Sequence, residues 1–178
     1  MISKDYWKDF YKGHRFDEPS GFAQWVLPRV KGSLVDLGCG DGRDTNYFRA
    51  AGIMAYGVDA SNEDVLIIKQ DVSTFIKENE SPDNVYTRFF WHAIPDDVQE
   101  DILDWTTGHL FIEARTTKDR PKDIYGKHDR NLVDVKKLEK QLKDKCFEIE
   151  FIHEGYGMSK FFDEDPHLVR VVAKKVVV

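Results

Sequence analysis

A glycine-rich turn and three acids near the ends of apolar runs are the candidate functional residues of this sequence. The turn is residues 38–42 (GCGDG), which follow a short apolar run and precede a helix-like stretch. Its glycines allow left-handed backbone and let a ligand approach the main chain, while the start of the helix offers free N–H groups. Asp36 stands two residues before the turn, and Asp59 and Asp71 end the next two apolar runs. Such acids suit a cationic group or both hydroxyls of a ribose.

Apolar runs alternate with helix-like stretches along the chain, and this alternation predicts an α/β fold with a largely parallel sheet that would hold the turn and the three acids. The seven predicted strands are Ser33–Leu37, Met54–Val58, Val65–Lys69, Asn84–Trp91, His109–Glu113, Phe147–His153 and Leu168–Val177. Predicted helices begin near Arg43, Val72, Pro95 and Asp134. Gly52 suits the left-handed end of the first helix, Pro95 suits the first position of the third, and Asp134 suits the N-cap of the last. The last strand is expected to be antiparallel. The link from Asp59 to Asp64 is too short for an ordinary crossover helix.

Length and composition predict one domain with its own core, since 41% of the 178 residues are hydrophobic and 13% are aromatic. The net charge of −6 argues against broad binding to nucleic acid backbones. Two cysteines cannot form a disulfide framework, and no Cys/His cluster has the spacing of a zinc site. No apolar run reaches about 18 residues, and the charged, aromatic start is unlike a signal peptide. The sequence therefore predicts a cytoplasmic protein without membrane insertion or a metal site.

At these motifs the chain resembles the class I S-adenosylmethionine-dependent methyltransferases. LVDLGCGDG looks like their first motif, VDAS like their second and QDVSTF like their adenine-side motif. The resemblance implies a Rossmann-like methyltransferase domain that binds S-adenosyl-L-methionine and releases S-adenosyl-L-homocysteine. The cofactor-binding residues that it implies are Asp36, Gly38, Cys39, Gly40, Asp59, Ala60, Asp71 and Val72. Asp36 would lie near the amino group, Asp59 on the ribose and Asp71 on the adenine amine, with Val72 on the adenine ring. Otherwise Asp36 could cap local backbone and Asp71 its own helix.

The methyl acceptor is expected at the carboxyl ends of the later strands, where open α/β sheets bind ligands. His92 follows the fourth strand, and its ordinary pKa suits a catalytic general base, although a core or helix-capping histidine is the alternative. Arg88 lies in an apolar strand and needs a partner, either a carboxylate such as Glu113 or the substrate. The basic loop after the fifth strand suits a phosphate or an acidic sugar. The predicted substrate-binding residues are Arg88, Arg115, His128, Arg130 and Tyr156.

A looser similarity is to a subgroup of methyltransferases associated with bacterial polysaccharide synthesis. It rests on the aromatic start, on RFFWHAI, on the region from FIEART to KHDR and on the tail DEDPHLVRVVAKK. It implies O-methylation of a small acceptor such as a saccharide or a phosphorylated saccharide. We expect residues 1–31 to form a helical cap over a ligand, with one or two helices packed on the sheet as the alternative. We expect residues 114–130 and 154–167 to form loops on the substrate side, with ordinary solvated loops as the alternative. The alternatives are a non-catalytic cofactor-binding scaffold or regulator, methylation of another small molecule or of nucleic acid, and a dinucleotide or nucleotide-sugar oxidoreductase.

Overall fold

Seven strands form one mixed sheet in the computed structural model, which describes residues 18–61, 66–119, 130–160 and 164–176. The strands are β1 Leu34–Leu37, β2 Ala55–Val58, β3 Ile67–Ile68, β4 Asn84–Arg88, β5 His109–Arg115, β6 Phe147–Gly155 and β7 Leu168–Lys175. Their order across the sheet is β3-β2-β1-β4-β5-β7-β6. β7 runs antiparallel to β5 and β6, and the other pairs are parallel. The predicted Rossmann-like sheet is thereby confirmed.

Helices follow the strands at the predicted places. In the described residues they are α1 Gly21–Val26, α2 Arg43–Ala50, α3 Val72–Glu78, α4 Asp96–Trp105 and α5 Val135–Asp144. Gly52 has φ +85 just after α2, and Asp134 caps α5 by accepting from two main-chain N–H groups, so both predictions are confirmed. Pro95 is the N-cap of α4 and not its first residue. No helix of the described residues is long and apolar enough to cross a membrane.

Two strand boundaries differ from the sequence prediction for local reasons. β4 ends at Arg88 and not at Trp91, because Phe89 adopts φ +54 and a 3-10 turn, Trp91–Ala93, follows. β3 keeps only two residues, and 62–65 of the link before it lie outside the described residues. The aromatic residues of the expected cap that precede residue 18 lie outside them too. β6 forms the sheet edge beyond β7, with a register shift between Ile149 and Phe151.

Apolar side chains cover both faces of the sheet. On one face α3, α4 and α5 pack against the strands through side chains such as Phe75, Leu103 and Leu138. On the other face α1 and α2 bury Phe22 and Phe48 against residues of β1, β4, β5 and β7. Each such side chain contributes roughly 1.5–3 kcal/mol by leaving water. The two layers therefore fix the carboxyl ends of β1, β2, β4 and β5 along one edge.

Candidate active site

The turn that follows β1 is fastened to the end of β2. The Gly38 N–H donates to the Val58 carbonyl at 2.8 Å, and the Gly40 N–H donates to Asp59 Oδ2 at 3.0 Å. The other carboxylate oxygen of Asp59 accepts from the Ser61 N–H at 2.8 Å and from its hydroxyl at 2.6 Å. Asp59 therefore lies against the glycine turn and holds it in place. The structure thus brings two of the three predicted strand-end acids, Asp36 and Asp59, to the turn.

The glycines of this turn have left-handed backbone, with φ of +70 at Gly38, +57 at Gly40 and +77 at Gly42. At Gly38 the space for a side chain is already taken, because an added Cβ would lie 2.1 Å from the Phe90 ring. The sequence predicted left-handed backbone and close approach of a ligand at these glycines. The structure adds that Phe90, which follows β4, packs directly on Gly38. Glycine is therefore needed there for both the backbone conformation and this contact.

We expect Gly38→Ala to lower the free energy of unfolding by about 2–4 kcal/mol, because backbone strain of about 1 kcal/mol adds to steric overlap with Phe90. Gly52→Ala is the matched control: Gly52 has φ +85 but nothing within 4 Å of an added Cβ, so only the strain remains. Urea unfolding measures both. Phe90→Ala in the Gly38→Ala background should recover part of the loss. Equal losses at the two glycines would contradict the contact.

Asp36 is almost fully buried, with 2% of its surface exposed, and the Thr45 hydroxyl donates to its Oδ2 at 2.7 Å. Burial, and next the nearby charge of Asp44, raise the pKa of Asp36 to about 8. Desolvation raises the pKa of the Cys39 thiol as well, so the thiol stays neutral. Its sulfur lies 2.7 Å from where a Cβ of Gly57 would stand. Cys39 thus packs toward β2.

The remaining predicted cofactor residues follow β2 and β3. Ala60 is half-buried directly after Asp59. Asp71 is exposed and caps α3 by accepting from the Ser73 N–H at 3.0 Å, which is the alternative role weighed from the sequence. Val72 is buried in the core, with 6% of its surface exposed. The contacts of Asp71 and Val72 with adenine stay predictions.

His92 lies in the 3-10 turn after β4 and joins three segments. Its Nδ1 accepts from the Arg115 N–H at 3.1 Å, and its carbonyl accepts from the Asn131 N–H at 2.9 Å. Burial, and next the charges of Arg115 and Arg130, lower the pKa of His92 to about 3. With Nδ1 occupied, the neutral ring carries its proton on Nε2 and has no nitrogen free to accept another. These contacts favour a positioning role over the predicted general base.

We expect the free energy of unfolding of His92→Asn to lie within about 1 kcal/mol of the wild type. For His92→Leu we expect a value about 1–3 kcal/mol lower than for His92→Asn, because only asparagine can still accept from the Arg115 N–H. The two replacements have similar shape, so urea unfolding isolates the hydrogen bond. Since the folded state keeps His92 neutral down to pH about 3, its contribution to stability is lost as pH falls below about 6.5. That loss should be absent in His92→Asn. Equal stability of the two variants would contradict the assignment.

Arg88 has the carboxylate partner that the sequence suggested. Its Nε donates to Glu113 Oε1 at 3.1 Å, and the Arg170 Nε donates to Glu113 Oε2 at 2.7 Å. The Ser159 hydroxyl also donates to Oε1, at 2.9 Å. Glu113 itself has no exposed surface. One buried carboxylate therefore joins β4, β5, β7 and the loop after β6.

Arg115 is committed to two carboxylates. Its guanidinium donates to Asp119 at 2.8 Å and to Glu164 at 2.6 Å, and all three side chains are buried. Tyr156 is exposed, donates weakly to the Lys118 carbonyl at 3.4 Å, and meets the His167 ring edge-on at 4.7 Å. Arg130 is half-buried and lies close enough to His92 to influence its pKa. His128 lies outside the described residues. The structure thus brings Arg88, Arg115, Arg130 and Tyr156 to one side of the sheet edge.

Several polar residues of this edge were missed from the sequence. Asp44 in α2 accepts from the Ser20 N–H, the Ser20 hydroxyl and the Tyr86 hydroxyl at 2.7–2.8 Å. Asp44 stands two residues after the glycine turn, and Arg170 is a charged residue within an apolar strand. Either feature could have marked its residue as a candidate from the sequence. Glu164 had no such signal, because its partner lies 49 positions away.

Comparison with known proteins agrees with this geometry. A family model described as a methyltransferase domain matches residues 11–137, which is well over half of the chain. A search of curated protein sequences finds no match. Many solved structures share the fold.

Similar solved structures include enzymes with different substrates. Magnesium protoporphyrin IX methyltransferase from Synechocystis PCC 6803, with bound S-adenosylhomocysteine, is 15% identical with a TM-score of 0.67 and covers 97% of this chain and 93% of its own. A 1,6-didemethyltoxoflavin N1-methyltransferase from Burkholderia thailandensis is 16% identical with a TM-score of 0.67, over 88% of this chain and 77% of its own. A glycopeptide N-methyltransferase complexed with sinefungin is 13% identical with a TM-score of 0.62, over 92% and 90%.

The residues at the turn fit this cofactor. Asp59 lies beside the glycines with a carboxylate that can still accept from a ribose hydroxyl, and Asp36 supplies a carboxyl group for an ammonium. S-adenosylmethionine would therefore be held by the ends of β1 and β2. With the sheet order, the turn and the family match in agreement, the chain belongs to the methyltransferase domain family and is an S-adenosylmethionine-dependent methyltransferase.

Proposed function

We propose that this enzyme O-methylates a small acceptor, and that the accepting atom is an anionic oxygen such as the phosphate oxygen of a phosphorylated saccharide. The state of His92 is the observation that carries the proposal. A neutral hydroxyl must lose its proton when it is methylated, whereas an anionic oxygen has none to lose. Because Nδ1 of His92 already accepts a hydrogen bond, this ring cannot take that proton. An acceptor that needs no base suits such a site.

Guanidinium groups near the acceptor edge support an anionic substrate. Arg88 lies 4.6 Å from the centre of the Phe89 ring, and it shares the one carboxylate of Glu113 with Arg170, so these two guanidinium groups exceed their shared partner by one positive charge. Arginine binds phosphate and carboxylate groups through paired N–H donors. The Phe89 backbone is held in an uncommon left-handed conformation, which fixes the ring beside these charges.

The residues of this chain would contribute to catalysis by holding the two reactants in alignment. When bound, S-adenosylmethionine supplies the electrophilic methyl carbon. Asp59 and the glycine turn hold the adenosyl part at β1 and β2, and the β4 and β5 ends hold the acceptor beside it. Alignment of the two reactants can lower the barrier by about 7–11 kcal/mol when the geometry is near that of attack.

A saccharide hydroxyl is the second candidate, favoured by Glu164. This side chain is 7% exposed, and its Oε1 has no hydrogen-bond partner among the residues that the structure describes. Arg115 orients the other oxygen. A buried carboxylate oxygen in that state could accept the proton of a hydroxyl. The two candidates differ in whether the reaction depends on a base.

The test is methyl transfer from radiolabelled S-adenosylmethionine to glucose, glucose 1-phosphate and glucuronic acid, with products identified by mass spectrometry. We expect transfer to the phosphate or carboxylate compound, not to glucose. At saturating cofactor the rate with glucuronic acid should stay flat between pH 6 and 8, because neither this acceptor nor a catalytic base titrates there. Transfer to glucose, abolished in Glu164→Gln, would favour the hydroxyl candidate. Binding of S-adenosylhomocysteine without transfer to any of the three would contradict both candidates and favour the scaffold alternative.

A further inference from the structure

The three carboxylates around the cofactor turn differ in how many hydrogen-bond donors they receive. Asp44 accepts three hydrogen bonds, from the N–H and hydroxyl of Ser20 and from the Tyr86 hydroxyl. Asp59 also accepts three, from the Gly40 N–H and from the N–H and hydroxyl of Ser61. Asp36 accepts one, from Thr45, and is 2% exposed. Of these three acids, Asp36 therefore accepts the fewest hydrogen bonds from the described residues and is the most buried.

Donor supply and burial decide whether Asp36 is ionised. Hydrogen bonds to a carboxylate stabilise its charged form, whereas burial and neighbouring negative charges stabilise the protonated form. The charged and titratable groups that act on Asp36 come from α2, the turn, the end of β2 and β4, and they are Asp44, Cys39, Asp59, Tyr86 and Arg88. The only cation among them, Arg88, already binds Glu113. The surroundings of Asp36 thus favour a neutral carboxyl group.

The direction of titration agrees with this geometry. Burial raises the pKa of Asp36 to about 8, and the charges of Asp44 and Asp59 add to the effect of burial. At neutral pH the group therefore keeps its proton in the free protein. The cofactor brings a new cation, because its methionine part carries an α-ammonium group.

We propose that Asp36 holds a proton in the free enzyme and releases it to solvent when the cofactor's ammonium group binds beside it. The carboxyl O–H bond breaks, its proton passes to the buffer, and the carboxylate accepts an N–H hydrogen bond from the ammonium. No electron transfer or further reactant is needed. The proposal depends on cofactor binding at Asp36 and not on the identity of the methyl acceptor.

Isothermal titration calorimetry with S-adenosylhomocysteine at pH 6.5 counts the released protons. The observed enthalpy is measured in buffers of different ionisation enthalpy, and the slope gives the number of protons per ligand. We expect the wild type to release nearly one proton per ligand bound. Its dissociation constant should fall up to tenfold for each pH unit as the pH rises from 6 to 8. A slope near zero, or a dissociation constant that is flat over this range, would overturn the proposal.

Two comparisons locate the proton. 5′-Methylthioadenosine lacks the ammonium group, so its binding should release none, and Asp36→Asn should release none with either ligand. Asp59→Asn is the matched control, since it removes a neighbouring carboxylate but should leave the release near one while weakening affinity. Release that persists in Asp36→Asn, or that is equal for 5′-methylthioadenosine, would assign the proton elsewhere and overturn the proposal. The wild-type comparison of the two ligands stands even where a variant is unstable.

Discussion

Replacing Glu113 with glutamine should lower the free energy of unfolding by about 3–5 kcal/mol, because a buried charge is costly once its partner is removed. Glu113 has no exposed surface and is bonded by Arg88 and Arg170 at 3.1 and 2.7 Å. Glutamine keeps the shape but leaves both guanidinium groups without this negative charge, and its NH₂ group faces donors. Urea unfolding at pH 7 measures the change.

The control for this prediction removes a carboxylate from an exposed pair. Asp144 pairs with Lys140 on α5, and both side chains are more than half exposed. Asp144→Asn should change stability by less than about 0.5 kcal/mol, since exposed pairs contribute little. A loss below about 1 kcal/mol in Glu113→Gln would show that the carboxylate is not the group that holds the two arginines.

Asp36→Asn should make the protein more stable at pH 8 and nearly unchanged in stability at pH 4. In the wild type the pKa of Asp36 is about 8 when folded against 3.8 ordinarily, so the folded state binds the extra proton between these values. Its stability therefore falls as pH rises through this window, by up to about 1.4 kcal/mol per pH unit. Asparagine resembles the protonated group and has no such dependence. Thermal unfolding of both proteins from pH 4 to pH 9 isolates this one residue.

Asp59→Asn is expected to change stability in the opposite direction to Asp36→Asn. Its carboxylate accepts three hydrogen bonds from Gly40 and Ser61, and an amide cannot accept all of them. This variant should lose stability at pH 8, where Asp36→Asn gains it. A gain that is the same at pH 4 and pH 8 in Asp36→Asn would show that the improvement comes from packing and not from the proton.

The parts of the site that could be predicted are those that depend on residues close together in the sequence. Asp36, the glycine turn and Asp59 follow from local spacing at strand ends, and parallel strands bring those ends together regardless of the rest of the chain. Arg88 beside Glu113 was also within reach, because the two residues are in register on adjacent strands. Caps such as Asp134 are predictable for the same reason.

The rest depends on side chains that meet across long sequence separations. Arg170 is 57 positions from Glu113, and Glu164 is 49 from Arg115. Nothing in either local pattern specifies these partners. The sequence left the role of His92 open between a general base and a core residue for the same reason, since the Arg115 N–H that donates to Nδ1 comes from the neighbouring strand. Phe90 packs on Gly38 because the chain turns at Phe89 after β4. No sequence pattern predicted the positive φ of Phe89.

The shifted register in β6 has a consequence for how the molecule behaves in crowded solution. β6, nine residues long, has no further strand beside it in the part of the chain that the structure describes, and such an edge offers main-chain groups to which a strand from another molecule could add in a fibril. The irregularity between Ile149 and Phe151 interrupts the even spacing that such addition requires. Glu148 and Glu150, both exposed beside it, would repel the same strand of an identical copy. This side of the sheet is therefore built to resist fibril growth.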